Sequence, residues 1–461
     1  MSVSERMTPV EWRTSMGLAG VFGLRMVGLF SILPIFAWHA EHMPGGSSQI
    51  LIGLALGAYG LTQAFLQIPF GMAADRFGRK RVIYLGLVLF ALGSFVAAAA
   101  TDIHGIILGR SLQGAGAISA AITALLADLT REEHRTKAMA VIGMTIGVTF
   151  SASLVMGPLL DHLIGLSGIF AMTGFMAILA MGVVKWMVPN PQISRFHSDA
   201  ETLPSQFVGV LKNTQLMRLN FGIFSLHAAQ MAMFVIVPGM LHDIGNMPVA
   251  EHWKVYLPVT VVSFFLMVPF IIYGEKKAKL KQVFAGAIAL MMAVQLGFMT
   301  QPPALMEIIG LLFFYFLAFN VLEATLPSMI SKIAPAMSKG TAMGIYNTSQ
   351  SLGLFAGGAI GGFLAHHFGP AVVFGFAAAM MLTWLMLALT MQPPPAVSSK
   401  MYHVEGLTGE QARGLAAKLS GLQGVREAIV LAGEGVALLK VDQKGWDQAG
   451  AEQLIGVGET S

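Results

Sequence analysis

Four ionisable residues stand inside stretches of the chain that are otherwise apolar: Arg25, Arg110, His227 and Glu323. A charge at the depth of a hydrocarbon layer costs about 2.5 kcal/mol or more, so such a residue faces a partner or a wet cavity. Glu323 lies in Phe319-Asn320-Val-Leu-Glu323-Ala-Thr325. A carboxyl so placed suits proton uptake and release, and Asn320, three residues earlier on the same helical face, can hydrogen-bond it or help bind a polar ligand. The competing reading of Glu323 is a fixed ion pair with an arginine from the other half of the chain. Arg110 reads as a hydrogen-bond hub or as a group that tunes a nearby carboxyl. Arg25 holds either an anionic cargo or a packing and pairing position. His227 has the side chain that titrates nearest neutrality, yet a lone histidine at this depth also serves as an interhelical hydrogen-bonding residue.

A second constellation is Gly71-Met-Ala-Ala-Asp75-Arg76-Phe-Gly78-Arg79-Lys80-Arg81. This charge-dense turn separates apolar runs at 49–74 and 82–100, each long enough to cross ~30 Å of hydrocarbon as a helix. It reads as the water-side elbow of a membrane hairpin. Asp75 is an acid in a loop that topology alone would leave basic. Asp128, at the end of another apolar run, is a natural partner for Arg79 or Arg76, and Gly71 and Gly78 allow close backbone approach.

The elements that carry these residues are hydrophobic helices. Of 461 residues 55% are hydrophobic and 11% charged, which places the chain in a lipid bilayer. Windows of about 20 residues give twelve spans, near 16–38, 49–74, 82–100, 105–127, 138–160, 166–188, 220–241, 255–273, 283–299, 304–328, 341–366 and 372–391. A polar central loop at 189–217, with Asp199, Glu201, Pro204 and Lys212, divides a six-helix half at 1–188 from another at 218–392. The expected fold is therefore an all-α membrane bundle of two six-helix halves. Loops rich in Lys and Arg (Arg76 to Arg81, Arg131 to Lys137, Lys276 to Lys281, Lys332 and Lys339) fall on one side, which sets that side and both termini in the cytoplasm.

The halves also repeat. An offset of 200 brings Asp75 onto Glu275, Arg76 onto Lys276 and Arg79 onto Lys279; an offset of 204 pairs Gly157 with Gly361 and His162 with His366. Repeats of this type let two bundles rock about a site near the bilayer midplane.

Twelve spans, a 6+6 repeat and the Gly71-x-x-x-Asp75-Arg76-x-Gly78-Arg79-Lys80 pattern resemble the major facilitator superfamily, whose loop between helices 2 and 3 carries this signature. Arg110-Ser-Leu-Gln113-Gly114 resembles the family's helix 4 motif, and Gly157-Pro158 partly resembles that of its antiporter branch, although Ser153 stands where a glycine is usual. The resemblance implies an inner-membrane secondary transporter moving a small molecule, with protons as the coupled partner and the signature loop as a latch. In that role Asp75 faces the start of helix 11 near Gly340 and Thr341, where unpaired backbone donors favour an anion. Proton-coupled export by antiport is the leading expectation. A symporter, or a non-transporting sensor that signals through its tail, remains open beside it.

Residues 398–461 form a soluble tail with a ferredoxin-like βαββα pattern: strand 400–405, helix 408–419, strands 425–432 and 435–441, helix 446–455. Small metal-binding domains of this order carry two cysteines where Gly409 and Ala412 stand, and the chain has no cysteine at all. Thiolate metal capture and disulfides are excluded, and no cofactor or resident metal is expected. With no final strand evident, an open sheet edge offers a route to self-association. No nucleotide-binding loop, catalytic triad or nucleic-acid surface is visible, so neither an ATP-driven pump, an enzyme nor a nucleic-acid binder is expected.

Overall fold

A computed structural model describes residues 7–190, 206–300, 304–335, 338–393, 397–404, 406–432, 435–442 and 445–456. The loop residues Asp199, Glu201 and Pro204 lie outside them. The N-terminal helices are α1 (Pro9–Phe30), α2 (Phe36–Glu41), α3 (Gln49–Phe77), α4 (Arg79–Ala99), α5 (Ile103–Ala115), α6 (Ser119–Asp128) and α7 (Glu132–Trp186). After α8 (Phe207–Lys212) come α9 (Thr214–Asp243), α10 (Trp253–Lys276), α11 (Leu280–Met299), α12 (Leu305–Ile333), α13 (Lys339–Phe368) and α14 (Pro370–Leu389). The tail adds β1 (Val397–His403), α15 (Gly409–Ser420), β2 (Val425–Leu431), β3 (Val436–Asp442) and α16 (Gln448–Ile455).

Nine helical stretches among the described residues are long and apolar enough to cross a membrane. One of them contains a reversal at Gly165 (φ 65, ψ 175), so α7 holds two expected spans. Helices α1 and α13 have the length, at 22 and 30 residues, but are not among those nine. Glu11, Arg13 and Arg25 dilute α1; glycine and polar residues dilute α13.

Two expected spans are interrupted. The first divides into α1 and α2 around Pro34, which lacks a backbone donor. The fourth divides into α5 and α6 at Gly116-Ala117-Ile118, where α4 presses in: a Cβ on Gly116 would meet the Gly86 carbonyl, and one on Gly86 would meet Ile118.

The repeat is visible in bonds as well as in letters. Lys80 Nζ donates to the Val188 carbonyl at the end of α7 (2.7 Å), and Lys281 Nζ donates to the Leu389 carbonyl at the end of α14 (2.8 Å). Arg13 and Arg218 likewise donate to the carbonyls of Trp186 and Thr390. Cations at helix C-termini satisfy orphan carbonyls and oppose the negative end of the dipole.

The halves meet at one end of the bundle. One buried apolar cluster joins Ile32, Phe36, Ile52, Leu56 and Leu154 of the first half to Leu226, Phe316 and Leu322 of the second. Near the signature loop the first half instead closes on itself, through Leu18, Phe22, Ile83, Leu125 and Val184. The most extensive seam between the halves is α3 on α13, with α7 on α10 a smaller one. A Cβ on Gly53 would collide with the Gly358 backbone, on Gly57 with Phe355, on Gly60 with the Ser351 carbonyl, and on Gly362 with the Gln49 carbonyl. Only hydrogen at Cα permits this approach. Aromatic rings reinforce it: Trp38 lies 4.0 Å from the His242 ring, and Phe150 stacks on Phe319 at 5.6 Å between centroids.

In the tail, β3 lies between β1 and β2 in an antiparallel sheet, leaving both β1 and β2 as edges. The sheet leans on the transporter half through Lys440, whose Nζ donates to the carbonyls of Lys332 (3.1 Å) and Ala334 at the end of α12. Burial, the largest influence, together with Lys339 pulls the Lys440 amine below the usual lysine range against the opposing pull of Glu427.

Gly358→Val should force α3 and α13 apart at a cost of about 1–3 kcal/mol. Spin labels on Ser47→Cys and His367→Cys, in a chain with no native cysteine, are expected to move apart. An unchanged distance would mean that this glycine does not set the seam.

Candidate functional site

The polar centre of the second half is built from three helices. Helix α9 supplies His227, α12 supplies Glu323 and α13 supplies Gln350. His227 Nδ1 faces the Ile223 carbonyl (3.3 Å), which only accepts, so Nδ1 carries the hydrogen in the neutral ring and Nε2 presents a lone pair. Gln350 Nε2 donates to that Nε2 (2.8 Å) and also to Glu323 Oε1 (3.4 Å). Glu323 Oε2 is 3.9 Å from His227 Nε2 and has no hydrogen-bond partner among the described residues. The Glu323 side chain is nevertheless 35% exposed, far more than the 7% of His227. It is thus open on one side and closed on the other. One turn away on α12, Phe319 stacks with Phe150 and packs edge-on to His227, covering the site on the side where the halves meet.

Asn320 does not bond the carboxyl. Its Nδ2 donates to Ser263 Oγ on α10 (3.2 Å), because residues three apart share a face while the amide still points to the neighbouring helix. No ion pair joins Glu323 to an arginine among the described residues.

The two buried arginines belong to the first half. Arg25 sits 5.7 Å from the centroids of both Tyr59 and Phe90, with Nη1 donating to Ser119 Oγ (3.4 Å). These ring faces supply the attraction that an acid would otherwise provide. Arg110 lies 5.2 Å from the same Tyr59 ring and donates to Gln113 Oε1 (3.1 Å) and the Leu56 carbonyl (3.4 Å); Gln113 in turn donates to Ser94 Oγ (2.8 Å). Arg110 is the hub of α3, α4 and α5, and its side chain is fully enclosed.

At the signature loop, Gly78 has φ 96, a left-handed conformation that favours glycine, and it turns the chain from α3 into α4. Gly71 lies where α3 passes Ala120 of α6. Arg79 Nε donates to the buried Asp128 Oδ2 (2.5 Å) and Nη1 to Asp75 Oδ1 (2.7 Å), so one guanidinium bridges the ends of α3, α4 and α6. Arg76 is exposed and rests on the Phe77 ring, and Lys80 is engaged at the end of α7. Among the described residues the bonds of Asp75 do not extend to α13. Gly340 and Thr341, at the start of α13, are buried, with α8 packed on that helix. The second half keeps the elbow acid and changes its partner: Glu275, which repeats Asp75, accepts from Lys332 Nζ (2.7 Å), which stands where Asp128 does in the first half.

Such a bundle, two repeated halves with a polar centre, matches the family model described as Major Facilitator Superfamily over residues 18–358 and 280–416. The chain belongs to the major facilitator superfamily. It is 43% identical over 451 residues to the inner membrane transport protein YajR of Escherichia coli (strain K12), covering 98% of each chain. It is 25% identical over 350 residues to the multidrug resistance protein MdtH of Yersinia enterocolitica, covering 73% of this chain and 82% of the other. A bacterial homologue of the human lysosomal transporter Spinster, solved in an inward-facing and occupied conformation, shares the fold with a TM-score of 0.64 at 14% identity, covering 83% of this chain and 95% of that one. The protein is accordingly a multi-pass inner-membrane transporter of this superfamily.

Gln350, Ser263 and Glu11 were not singled out from the sequence. Gln350 is signalled by the polar run Asn347-Thr348-Ser349-Gln350 inside a glycine-rich span; Glu11, by Thr8-x-x-Glu11, which is a capping box. Ahead of the apolar part of α1, Glu11 accepts from Arg131 Nε (2.9 Å), Arg131 Nη2 (3.0 Å) and the Arg131 backbone (2.9 Å). Burial, the largest influence, opposes its charge, but the hydrogen bonds from Arg131 and Thr8 prevail and hold the carboxyl at about 2.

The sign for stability follows from that depression. The contribution of Glu11 is complete above the ordinary value of 4.5 and fades as pH falls toward about 2. Glu11→Gln should therefore lower stability by about 1–3 kcal/mol at neutral pH. The gap in melting temperature from the native protein should narrow progressively below pH 4.5; a gap that is constant with pH would contradict the assignment.

Proposed function

We propose that this transporter couples proton movement to export of a small molecule by rocking its two halves, with Glu323 as the proton carrier. The observation that carries the reading is the half-open Glu323 side chain: 35% exposed, with one carboxylate oxygen buried, unpartnered among the described residues and 3.9 Å from His227 Nε2. A neutral imidazole and a carboxylate at that distance can share one added proton with little rearrangement. On the reading that the basic loops face the cytoplasm, the α3–α13 seam closes the periplasmic side and the carboxylate opens inward. Twelve spans, divided at 1–188 and 218–392 with the tail at 398–461, are part of the same proposal.

The signature loop then belongs to the opposite state. With the cytoplasmic side closed, Asp75 would leave Arg79 for the buried N-terminus of α13, while the Arg79–Asp128 pair stays in place. A single exposed dipole contact contributes about 0.3–1 kcal/mol, so the latch biases two states of similar energy and does not lock one. Export is favoured over uptake by Gly157-Pro158 and by relatives named multidrug resistance proteins. A ferredoxin-like regulatory or dimerising role for the tail completes the proposal.

Proteoliposomes loaded with a pH-sensitive dye and screened against candidate cargoes test coupling. Glu323→Gln should abolish cargo-driven proton movement while the protein still binds cargo; persisting proton movement would place the carrier elsewhere. Asp75→Asn should slow transport several-fold with an unchanged melting temperature. Transport at the native rate would remove the latch from the account.

A further inference from the structure

Helix α13 meets its two most extensive neighbours, α9 and α3, through glycine. On one side Gly353 and Gly357 lie against the backbone of Phe224 and Ala228 in α9; on the other, Gly358 and Gly362 lie against α3. Toward the signature loop the glycine contacts of the α3 seam end at Gly60 and the Ser351 carbonyl. The residue before Ser351 is Gln350, whose amide holds both members of the polar pair. The proton site and the last glycine contact of the α3–α13 seam thus involve adjacent residues of one helix.

We propose that Gln350 is a positioning residue that senses whether the His227–Glu323 pair carries the proton and passes that state to the α3–α13 seam. This rests on the reading of Glu323 as proton carrier. In the proton-free pair the Gln350 NH2 group spends its two hydrogens on two acceptors, the His227 Nε2 lone pair and the Glu323 carboxylate. A hydronium ion that passes its proton into the pair breaks one O–H bond and leaves as water; the N–H bond formed at Nε2, shared toward Glu323, consumes that lone pair and turns Nε2 into a donor. Donor then faces donor across 2.8 Å. The contact is relieved only if the amide turns over to offer its oxygen or moves away, while Nε2–H bonds the waiting Glu323 Oε2. Either movement is applied at the root of the seam. No other bond forms or breaks in this step.

Few other charges complicate the pair. From α13 itself, Tyr346 lies within electrostatic reach of Glu323, and its hydroxyl has no partner among the described residues. From α10 and α12 the neighbours are Ser263, Asn320 and Phe319, and from α7 Phe150, none of which titrates. Arg25 and Arg110 bond within the first half.

Because its amide donates to the proton-free forms of both groups, Gln350 favours the empty pair, and its removal should favour the loaded one. The test uses the full chain in lipid nanodiscs with spin labels on Ser47→Cys and His367→Cys, following the inter-label distance from pH 5 to 9. The native protein should show a pH-dependent transition, and Glu323→Gln should flatten it. Gln350→Leu should shift the midpoint upward by about one pH unit, a tenfold change in proton concentration, and reduce its amplitude. Gln350→Asn, which keeps a shorter amide, should fall between the two and carries the test if the leucine variant does not fold. A native-like midpoint and amplitude in the folded Gln350 variants, or a downward shift, would overturn the role of Gln350 alone. A Glu323→Gln protein that still responds to pH, or a native protein that does not, would overturn the carrier assignment and this inference with it.

Discussion

Backbone-to-backbone contact between α3 and α13 is the constraint on which the remaining arrangement depends. Gly53, Gly57, Gly358 and Gly362 let two helices from different halves approach more closely than any side chain would permit. In a bilayer, where lipid competes equally for apolar surface, such close approach is what van der Waals attraction and small residues provide. The glycine contacts of the seam lie between Gln49 and Gly60 of α3 and between Ser351 and Gly362 of α13, so this close approach is confined to one part of each helix. A different sequence with the same hydropathy but alanines or valines on these faces would still insert as helices. It would not close.

The two halves are relatives that have divided the electrostatic work. The first buries guanidinium groups among ring faces and amides, with Tyr59 shared by Arg25 and Arg110. The second places an imidazole and a carboxylate around one amide. The lysine and arginine caps on the ends of α7 and α14 have stayed in step, whereas the ion pair near each elbow is drawn from different members of the repeat, Arg79 with Asp128 in one half and Glu275 with Lys332 in the other. Features that satisfy helix ends are a requirement of any helix, so both copies retain them. Features that move charge or bias a conformation are free to diverge.

Much of this was legible from residue type alone. Glu323 stands out because a lone carboxylate in an apolar run needs a reason, and Arg79 with Asp128 because opposite charges end helices that must meet. Hydropathy placed the helices but not the breaks in α1–α2 and α5–α6, since Pro34 and the Gly116 turn change backbone geometry without changing apolarity. Asn320 shows a different limit: a spacing of three identifies a shared face, yet which neighbour that face addresses depends on the packing of α10. Gln350 was hidden because an uncharged amide carries no hydropathic penalty large enough to mark it. Its meaning comes from partners 123 and 27 residues away in sequence.

The grip of Lys440 on the last carbonyls of α12 fastens the tail's sheet to the second half. The tail is then a pointer mounted on α12. Its angular sweep magnifies small tilts of α12, and a fluorophore carried on the exposed outer surface of α15 would make that tilt readable without touching the membrane-embedded helices.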